Sequence, residues 1–389
     1  MEKKDKNLNV PNLRFPEFSG EWEKEFLGTT CNVLMCKRIL ASQTNAECGV
    51  PFYKIGTIGD APDAYISKEL FESYRAKYNY PRKGEVMITC AGTVGKMMIF
   101  DGEDSYYQDS NIVWIDNPTN KIDNTFLYHL ISKVDWSKLN TTTIVRIYND
   151  DLRHLRISYP TLSEQRKISI FLNLLNQRIE TQKKIIEKCE SLIRGISNKL
   201  LYADNGIPIR LGDLLIERSE RTKVNNQHEV LSSTVKGIFS QREYFSKDIA
   251  SENNVGYKVI HRHDVVLSPQ NLWMGNINYN DKYDIGIVSP SYKIFSIAEG
   301  YDKRFVAALL KTHRALYNYM QVSEQGASIV RRNLNMEAFE QLTLKMPPLE
   351  IQRVIGNAIS ALKSRLEISM EMKMVYESQK QWLLMEMFI

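Results

Sequence analysis

The sequence lacks the long apolar runs of a membrane protein. No stretch of the 389 residues approaches the ~18 consecutive apolar residues of a membrane-spanning helix. The charged start from Met1 to Lys6 is not followed by the apolar core of a secretory signal. Cysteines are few, and their odd number, five, argues against a disulfide framework and for reduced thiols. We therefore expect a cytoplasmic protein without a membrane span.

The common sequence motifs of enzymes are also missing. No Gly-x-Gly-x-x-Gly follows a strand pattern, and no Asp-Pro-Pro-Tyr or Asn-Pro-Pro-Tyr tetrapeptide of an adenine methyltransferase occurs. Residues 91–96 (AGTVGK) resemble a P-loop only superficially. The spacing between the glycines is too short, and Met97 stands where Ser or Thr would hold Mg²⁺. We expect a structural turn between two strands, with Lys96 as a candidate phosphate contact.

Metal ligands at a usual spacing are lacking too. Cys31, Cys36 and Cys48 have no fourth ligand at a zinc spacing, so we interpret them as buried free cysteines. His261 and His263 would share one face of a strand, again without a third ligand. We interpret the two histidines as surface or loop residues that could touch an anion. No metal or cofactor is expected in this chain.

The chain does contain a long heptad pattern. From Thr161 to Tyr202 apolar residues recur in alternating steps of four and three, and a single polar residue, Gln182, interrupts them. Thr161 and Glu164 fit a capping box at the start. The pattern predicts a helix of about 40 residues, roughly 60 Å long. The seam comprises Ile168, Leu172, Leu175, Ile179, Gln182, Ile186, Cys189, Ile193, Ile196 and Leu200.

A second copy of this pattern runs from Pro348 to Ile389. Its polar interruption, Ser369, corresponds to Gln182, and its C-terminal half is weakened by Lys373 and Lys380. We expect the two helices to pack on each other and to hold globular units apart. The alternative is that each helix folds back on its own domain. The N-terminal half of this seam comprises Ile355, Ile359, Leu362 and Leu366.

The rest of the chain repeats in the same order. Phe26-Leu27-Gly28 returns as Arg210-Leu211-Gly212, and residues 83–87 return as residues 263–267. Two further matches are residues 126–139 with the helix pattern of 305–320, and residues 160–166 with residues 347–353. An ordered set of matches indicates a duplicated unit of one globular domain plus one long helix, rather than a solenoid. At 389 residues, two or three domains fit the length.

Amide, aromatic and basic side chains cluster at predicted turns of both copies. Gln and Asn can bond to adenine, and Arg to guanine, in the major groove of DNA. A net charge of +5 is compatible with nucleic-acid binding without requiring it. Ordinary turn chemistry is the competing interpretation of these residues. The candidates are Lys96, Tyr107, Gln108 and Arg146 in the first copy, and Gln270, Asn271, Trp273, Arg331 and Arg332 in the second.

Together these features resemble the specificity subunit of type I restriction–modification systems. The residues that carry the resemblance are Pro160–Ile168 (PTLSEQRKI), Pro347–Ile355 (PPLEIQRVI), the Gly84–Lys96 region and Asn12–Gly28. The second copy departs from the Gly-Thr-Val-Gly-Lys turn, having Gln270–Gly275 (QNLWMG) instead.

The resemblance implies an α+β fold with two target-recognition domains, at residues 1–160 and 203–346. The helices at 161–202 and 347–389 would form an antiparallel coiled coil. It further implies a non-catalytic subunit that reads double-stranded DNA and assembles with two modification (methyltransferase) subunits and with restriction subunits. S-adenosylmethionine, ATP and Mg²⁺ would belong to those partners. Because the turns of the two copies differ, we expect an asymmetric, bipartite target.

Two other functions remain open at this stage. A stand-alone DNA-modifying enzyme is disfavoured by the missing catalytic motifs. A coiled-coil scaffold without a role on DNA predicts that any DNA binding does not depend on the DNA sequence. A sequence-specific DNA-binding protein must instead prefer one DNA sequence at fixed salt.

Overall fold

The chain divides into two units, and each long helix contributes to both. One unit contains residues Met1–Gln182 and Met372–Ile389, and the other contains Lys183–Glu371. We call them unit 1 and unit 2. The computed structural model describes residues 9–109, 111–138, 146–199, 206–244, 253–325 and 332–389.

Unit 1 is built on a four-stranded antiparallel sheet. Its strands are β1 (Glu23–Phe26), β2 (Asn32–Leu34), β3 (Thr44–Asn45), β4 (Val50–Tyr53), β5 (Tyr65–Ile66), β6 (Val86–Thr89), β7 (Met97–Ile99), β8 (Tyr106–Tyr107), β9 (Ile112–Asp116) and β10 (Arg156–Tyr159). Its helices are α1 (Leu27–Thr30), α2 (Lys68–Lys77), α3 (Asn124–Ser132), α4 (Asn149–Arg153) and the first part of α5 (Leu162–Lys199). The central sheet has the order β2-β9-β6-β7, and β1 pairs with β10. A second sheet has the order β3-β5-β4-β8. In the chain, β3, β4 and β5 lie between β2 and β6, and β8 lies between β7 and β9.

Unit 2 repeats the central frame. Its strands are β11 (Ile207–Arg210), β12 (Leu215–Arg218), β13 (Leu231–Thr234), β14 (Gly237–Ser240), β15 (Lys258–His261), β16 (Val265–Leu267), β17 (Ile277–Tyr279), β18 (Ile285–Val288), β19 (Lys293–Ile297), β20 (Ser323–Gln325), β21 (Arg332–Leu334) and β22 (Thr343–Met346). Its helices are α6 (Leu211–Leu214), α7 (Gln241–Tyr244), α8 (Lys303–Leu309), α9 (His313–Gln321), α10 (Met336–Gln341) and the first part of α11 (Leu349–Glu386).

The sheet orders show that the duplication is structural. In unit 2 the order β12-β19-β16-β17 reproduces β2-β9-β6-β7, and β11 pairs with β22 as β1 pairs with β10. The insertions differ. Unit 2 has the hairpin β13–β14 and the pair β15–β18 where unit 1 has its second sheet. The frame is therefore duplicated, while the segments inserted into it are not.

The repeated Leu-Gly pair has a packing reason. A Cβ on Gly28 would lie 3.0 Å from Cβ of Arg153 in α4, and one on Gly212 would lie 3.1 Å from Cβ of Glu340 in α10. Leu27 and Leu211 are fully buried beside them. Glycine thus allows α4 to pack closely on α1 in unit 1, and α10 to pack closely on α6 in unit 2.

The structure corrects the predicted alignment at residues 83–87 by one residue. The buried carboxylate of Glu85 accepts a hydrogen bond from the backbone of Arg82 at 2.8 Å, and that of Asp264 accepts one from His261 at 2.7 Å. Glu85 therefore matches Asp264, and His263 stands where unit 1 has Gly84. Both residues adopt positive φ, 77° for His263 and 90° for Gly84.

The long helices α5 and α11 run antiparallel. Helix α5 passes from unit 1 into unit 2, and α11 passes back from unit 2 into unit 1. In unit 1, Leu172 and Leu175 share a core with Leu383 and Leu384, and in unit 2 Ile196 packs on the core that contains Ile355. Each helix has 38 residues, roughly 57 Å. The expected fold class, two α+β units joined by a long helix pair, is confirmed.

The predicted seam residues that the structure describes are buried or half-buried along these helices. Ile168, Leu172, Leu175, Ile179, Ile355 and Ile359 are buried, and Gln182, Ile186, Leu362 and Leu366 are half-buried. Leu200 and Tyr202 lie outside the described residues. At the polar interruptions, Oε1 of Gln182 and Oγ of Ser369 are buried without a hydrogen-bond partner within the described chain.

A buried glutamine attaches each long helix to its unit. Gln165 accepts a hydrogen bond from the backbone N–H of Asp123 at 2.7 Å and donates to the carbonyl of Pro160 at 2.8 Å. In unit 2, Gln352 accepts from Asp302 at 3.0 Å and donates to Pro347 at 2.8 Å. Asp123 and Asp302 are the N-cap residues of α3 and α8. The Gln of the repeated motif is thus a clamp between two helix starts.

Three local predictions need correction. The carboxylate of Glu164 binds Arg14 through both oxygens, at 2.8 and 2.7 Å, instead of closing a capping box with Thr161. The helix expected at 305–320 is two helices, α8 and α9, because the Thr312 side chain caps α9 by accepting from the N–H of Ala315. The helix expected at 126–139 ends at Ser132.

We predict that Gln165→Ala destabilises unit 1 by about 1–3 kcal/mol, because it leaves the Asp123 N–H and the Pro160 carbonyl buried and unpaired. Urea unfolding of the whole chain measures the change. The matched control is Gln177→Ala on the same helix, an exposed glutamine whose replacement should stay within about 0.5 kcal/mol. Equal stability of the two variants would contradict the clamp.

We also predict an acid-sensitive component of unit 1 at His129. This fully buried ring lies 3.1 Å from Oδ1 of Asn173 on α5, and burial lowers the pKa of His129 from 6.5 to about 4. The unfolded state takes up the proton first, so this component of stability is present above pH 6.5 and is lost as the pH falls towards 4. Between pH 7 and pH 5 the loss should be about 2 kcal/mol. In urea unfolding, His129→Gln should show a smaller decline than the wild type.

Candidate nucleic-acid interface

In unit 1 the candidate residues surround the turn between β6 and β7. Oγ1 of Thr89 accepts from the N–H of Lys96 at 3.0 Å and donates to the carbonyl of Thr93. Gly95 has φ 81°, and a Cβ there would lie 2.5 Å from Cδ1 of Trp136. The turn is therefore structural, as the sequence predicts, and its shape requires glycine beside the Trp136 indole.

Lys96 projects from this turn but is paired. Its Nζ lies 2.6 Å from Oδ2 of Asp60, which belongs to the neighbouring turn of residues 55–60. The Lys96 side chain is 37% exposed and that of Asp60 67%. A phosphate group would have to compete with Asp60 for this ammonium, and exposed pairs of this kind are worth only about 0–1 kcal/mol.

Tyr107 and Gln108 lie at the base of the same region. Tyr107 is 1% exposed, its hydroxyl lies 2.9 Å from Oγ of Ser105, and burial raises its pKa. Its ring stacks on Tyr53. The half-buried Gln108 donates its backbone N–H to the carbonyl of Tyr53 at 2.9 Å. Tyr107 therefore supports the region from within, and Gln108 lies closer to its surface.

Arg146 is brought to the turn from a distant part of the sequence. The N–H of Ile147 donates to the carbonyl of Cys90 at 2.9 Å, at the start of the turn. The Arg146 guanidinium lies 5.7 Å above the ring of Tyr148, an exposed tyrosine. Burial raises the pKa of Cys90 to about 12, against the opposing effect of Arg146, so this thiol stays neutral.

In unit 2 the corresponding turn connects β16 to β17. It contains the exposed Gln270 and the half-buried Asn271 and Trp273. The N–H of Arg332 donates to the carbonyl of Gln270 at 3.2 Å, and its guanidinium lies 4.6 Å from the centre of the Trp273 ring. The structure thus brings together Gln270, Trp273 and Arg332. Arg331 lies outside the described residues.

A buried amide network holds the hairpin β13–β14 beside this turn. Asn276 donates to the carbonyl of Ser233 at 3.0 Å, and Asn278 donates to Oγ of Ser233 and to the carbonyl of Thr234, both at 2.7 Å. Asn276, Asn278 and Ser233 are all buried. Because buried polar groups are costly unless they are paired, this network specifies one position for the hairpin.

Several residues of these regions were missed from the sequence. Asp60 and Trp136 give no local signal, because their partners lie about 36 and 41 residues away along the chain. Tyr148 could have been found, since it stands two residues after Arg146 as an aromatic partner for a guanidinium.

The cysteines and histidines differ in part from expectation. Cys31 and Cys36 are buried, with burial raising their pKa values to about 11 and about 12, but Cys48 is exposed. His261 ends β15 and lies 2.8 Å from Glu220, whereas His263 is in the following turn, so the two do not share a strand face. Within the described ranges no three His, Cys, Asp or Glu residues are grouped to hold a metal ion. No helix in the described part of the chain is long and apolar enough to cross a membrane.

Comparison with known proteins finds similarity to specificity subunits of type I restriction systems. Residues 19–191 match the type I restriction modification DNA specificity domain. A type I restriction enzyme specificity subunit of Haemophilus influenzae is 52% identical over 147 residues, which is 38% of each chain. The MjaX specificity subunit of Methanocaldococcus jannaschii is 22% identical over 411 residues, covering 96% of this chain and 94% of that one. Residues 19–191 of this chain are thus similar to the type I restriction modification DNA specificity domain, and the relatives that it matches are specificity subunits.

The fold agrees with that of a solved specificity subunit. The crystal structure of the S subunit from M. genitalium superposes with a TM-score of 0.66 at 15% identity, over 98% of this chain and 99% of that one. At this identity the likeness concerns the fold alone. The alignment with the Haemophilus specificity subunit spans only 38% of its length, so it does not extend to the whole protein.

We predict that the β6–β7 turn of this protein does not tolerate Gly95→Ala. The added Cβ meets the Trp136 ring at a positive φ, so unit 1 should lose about 1–3 kcal/mol and Trp fluorescence should change. Gly56→Ala in the neighbouring turn is the control, because a Cβ there meets nothing within 4 Å. Urea unfolding that did not separate the two variants would contradict this packing.

Proposed function

We propose that this protein is the specificity subunit of a type I restriction–modification system. In this role it reads an asymmetric, bipartite double-stranded DNA target, and each unit binds one half. The observation that supports this most is the pair of matching frames, β2-β9-β6-β7 and β12-β19-β16-β17, that carry unlike insertions and unlike turns. Two identical readers would need identical turns. Here unit 1 offers Lys96, Gln108 and Arg146, and unit 2 offers Gln270, Asn271 and Arg332.

In this proposal residues 1–160 and 203–346 are the two target-recognition domains. Residues 161–202 and 347–389 are the spacer that sets their separation. The buried glutamines Gln165 and Gln352 support this division, because each joins a long helix to the start of a helix in the neighbouring domain. A spacer can set a distance only when it is attached rigidly at its ends.

Each unit has an arginine whose guanidinium packs against an aromatic ring, beside the β6–β7 turn in unit 1 and the β16–β17 turn in unit 2. Arg332 lies on Trp273 at 4.6 Å, and Arg146 lies on Tyr148 at 5.7 Å. A ring restricts the guanidinium to one plane, which lowers the entropy lost when its edge binds a base. Arginine bonds bidentately to O6 and N7 of guanine. We infer that each half-site contains a guanine that faces this arginine.

The partners in this proposal are two modification subunits and the restriction subunits. Both long helices expose large apolar side chains, among them Ile170 and Leu174 of α5 and Met374 and Val375 of α11. Exposed apolar patches of this kind mark protein interfaces. S-adenosylmethionine, ATP and Mg²⁺ would be bound by the partners, and the assembly would act in the cytoplasm.

Methylome sequencing of a host that expresses this chain with its modification subunits tests the proposal. The expected result is one methylated motif with two different defined halves separated by unspecified bases. A continuous motif, a symmetric motif or no motif would overturn it. Replacing residues 203–346 by those of a related chain should change one half and leave the other intact.

We predict that Arg332→Ala weakens binding to the target DNA by about 1–3 kcal/mol and relaxes specificity at one guanine. Arg332→Lys separates two explanations. A phosphate contact would survive the exchange of one cation for another, whereas bidentate reading of guanine would not. Competition with non-specific DNA at fixed salt measures both variants. Arg365→Ala, an exposed arginine on α11, is the control. Equal losses for Arg332→Ala and Arg365→Ala would contradict the assignment.

A further inference from the structure

In unit 1, one face of the long helix is covered by the segment that enters the domain. We call residues 9–20 the arm. Arg14 of the arm binds Glu164, whose side chain is only 1% exposed. Glu17 binds Lys167, and the ring of Phe15 lies edge-on to Phe171 at 5.9 Å between centroids. The arm therefore matches this face by charge and by apolar contact.

In unit 2 no ion pair or ring contact from the described residues covers the corresponding face in this way. By the repeated motif, Glu164, Lys167 and Phe171 correspond to Ile351, Val354 and Ala358. We call these three residues the bare face. Ile351 is 49% exposed and Val354 is 70% exposed. All three of these counterparts in unit 2 are apolar. Apolar side chains exposed side by side on a helix are typical of a docking surface.

A cationic pocket flanks the bare face. It encloses about 320 Å³ and is lined by His263, Lys303, Arg304 and Arg353, together with Tyr279 and the first residue of α11. Arg353 lines the pocket and directly precedes Val354 in α11, so the pocket adjoins the bare face. Asp302, the acidic residue of the lining, caps α8 because its carboxylate accepts a hydrogen bond from the N–H of Phe305. The pocket therefore presents an excess of positive charge.

His263 shows that this pocket is specific to unit 2. It adopts φ 77°, where unit 1 has Gly84, and it is held there by Tyr279, whose ring stacks on it and whose hydroxyl lies 2.5 Å from Nδ1. A non-glycine residue in this region costs free energy, and such residues cluster at functional sites. Burial and then the charges of Lys303, Arg262 and Arg304 lower the pKa of His263, which reflects the positive potential around it. The unit 1 counterparts of Lys303 and Arg304 are Asn124 and Thr125.

We propose that the bare face and the cationic pocket of unit 2 together dock an apolar segment bearing carboxylates, contributed by another protein. That segment would do for unit 2 what the arm does for unit 1. The proposal rests on the proposed function for the source of the segment, a modification subunit. It follows that the two modification subunits bind this chain unequally, because one of the two helix faces is already covered.

DNA fits this surface less well. The pocket lies at the start of β16 and the end of β17, whereas the turn with Gln270 and Trp273 connects the other ends of the two strands. A phosphate backbone would also leave Ile351 and Val354 without apolar partners. A second copy of this chain fits less well too, because the arm would bring Arg14 to a surface that is already positive.

Titration of the whole chain with a purified modification subunit, followed by native mass spectrometry and sedimentation velocity, tests the proposal. The wild type should bind two copies. Arg353→Glu combined with Val354→Glu should weaken one of the two binding steps by at least about tenfold and leave the other unchanged. Val354→Lys, which introduces the unit 1 residue, should weaken that step less than Val354→Glu, because a lysine attracts carboxylates.

Val224→Glu is the matched control, since Val224 is a 59% exposed apolar residue on another element of unit 2. Circular dichroism and binding to target DNA should be unchanged in all variants. If the double variant binds both copies as tightly as the wild type does, the docking proposal alone is overturned. A wild type that binds no modification subunit overturns the proposed function and this partner together.

Three other results would also overturn the proposal. Val354→Lys as damaging as Val354→Glu would rule out an acidic segment. Weaker DNA binding by the double variant with normal subunit binding would assign the pocket to phosphate. Self-association of the wild type that Val354→Glu abolishes would assign the bare face to a second copy.

Discussion

The structure depends on a buried glutamine at the start of each long helix. Gln165 and Gln352 each join the proline carbonyl before the helix to the N-cap residue of a second helix in the domain. A helix of 38 residues has few tertiary contacts per residue, so its direction relative to a domain needs a specific attachment. An amide can donate and accept at once, and it meets both needs at one buried point.

The frame around these clamps is repeated because buried contacts specify it. The matching carboxylates of Glu85 in unit 1 and Asp264 in unit 2 each close the same kind of tight turn. Gly28 and Gly212 each allow a short helix to pack closely. The inserted segments do not share these constraints. In unit 1 an ion pair and an indole shape the turn between β6 and β7. In unit 2 an amide network and an arginine on an indole shape the turn between β16 and β17. The differences between the units thereby lie in segments that the shared frame positions.

The two units also differ at the start of their long helices. The arm covers the helix face of unit 1 through Arg14 and Phe15, while the matching face of unit 2 exposes Ile351 and Val354 beside a cationic pocket.

The sequence by itself determined the long helices, the duplication and the resemblance to specificity subunits, because these depend on local periodicity and on repeated motifs. The heptad steps from Ile168 onward and the two Gln-Arg motifs are readable within a few turns of helix. Only the tertiary structure decided what lies far apart in sequence. It set Asp60 on Lys96, Trp136 against Gly95, Arg332 on Trp273 and Arg14 on Glu164, the last in place of the expected capping box. It also buried Tyr107, exposed Cys48 and divided a predicted helix at Thr312. Each of these outcomes is set by which surfaces meet in the folded chain, which the local pattern does not encode.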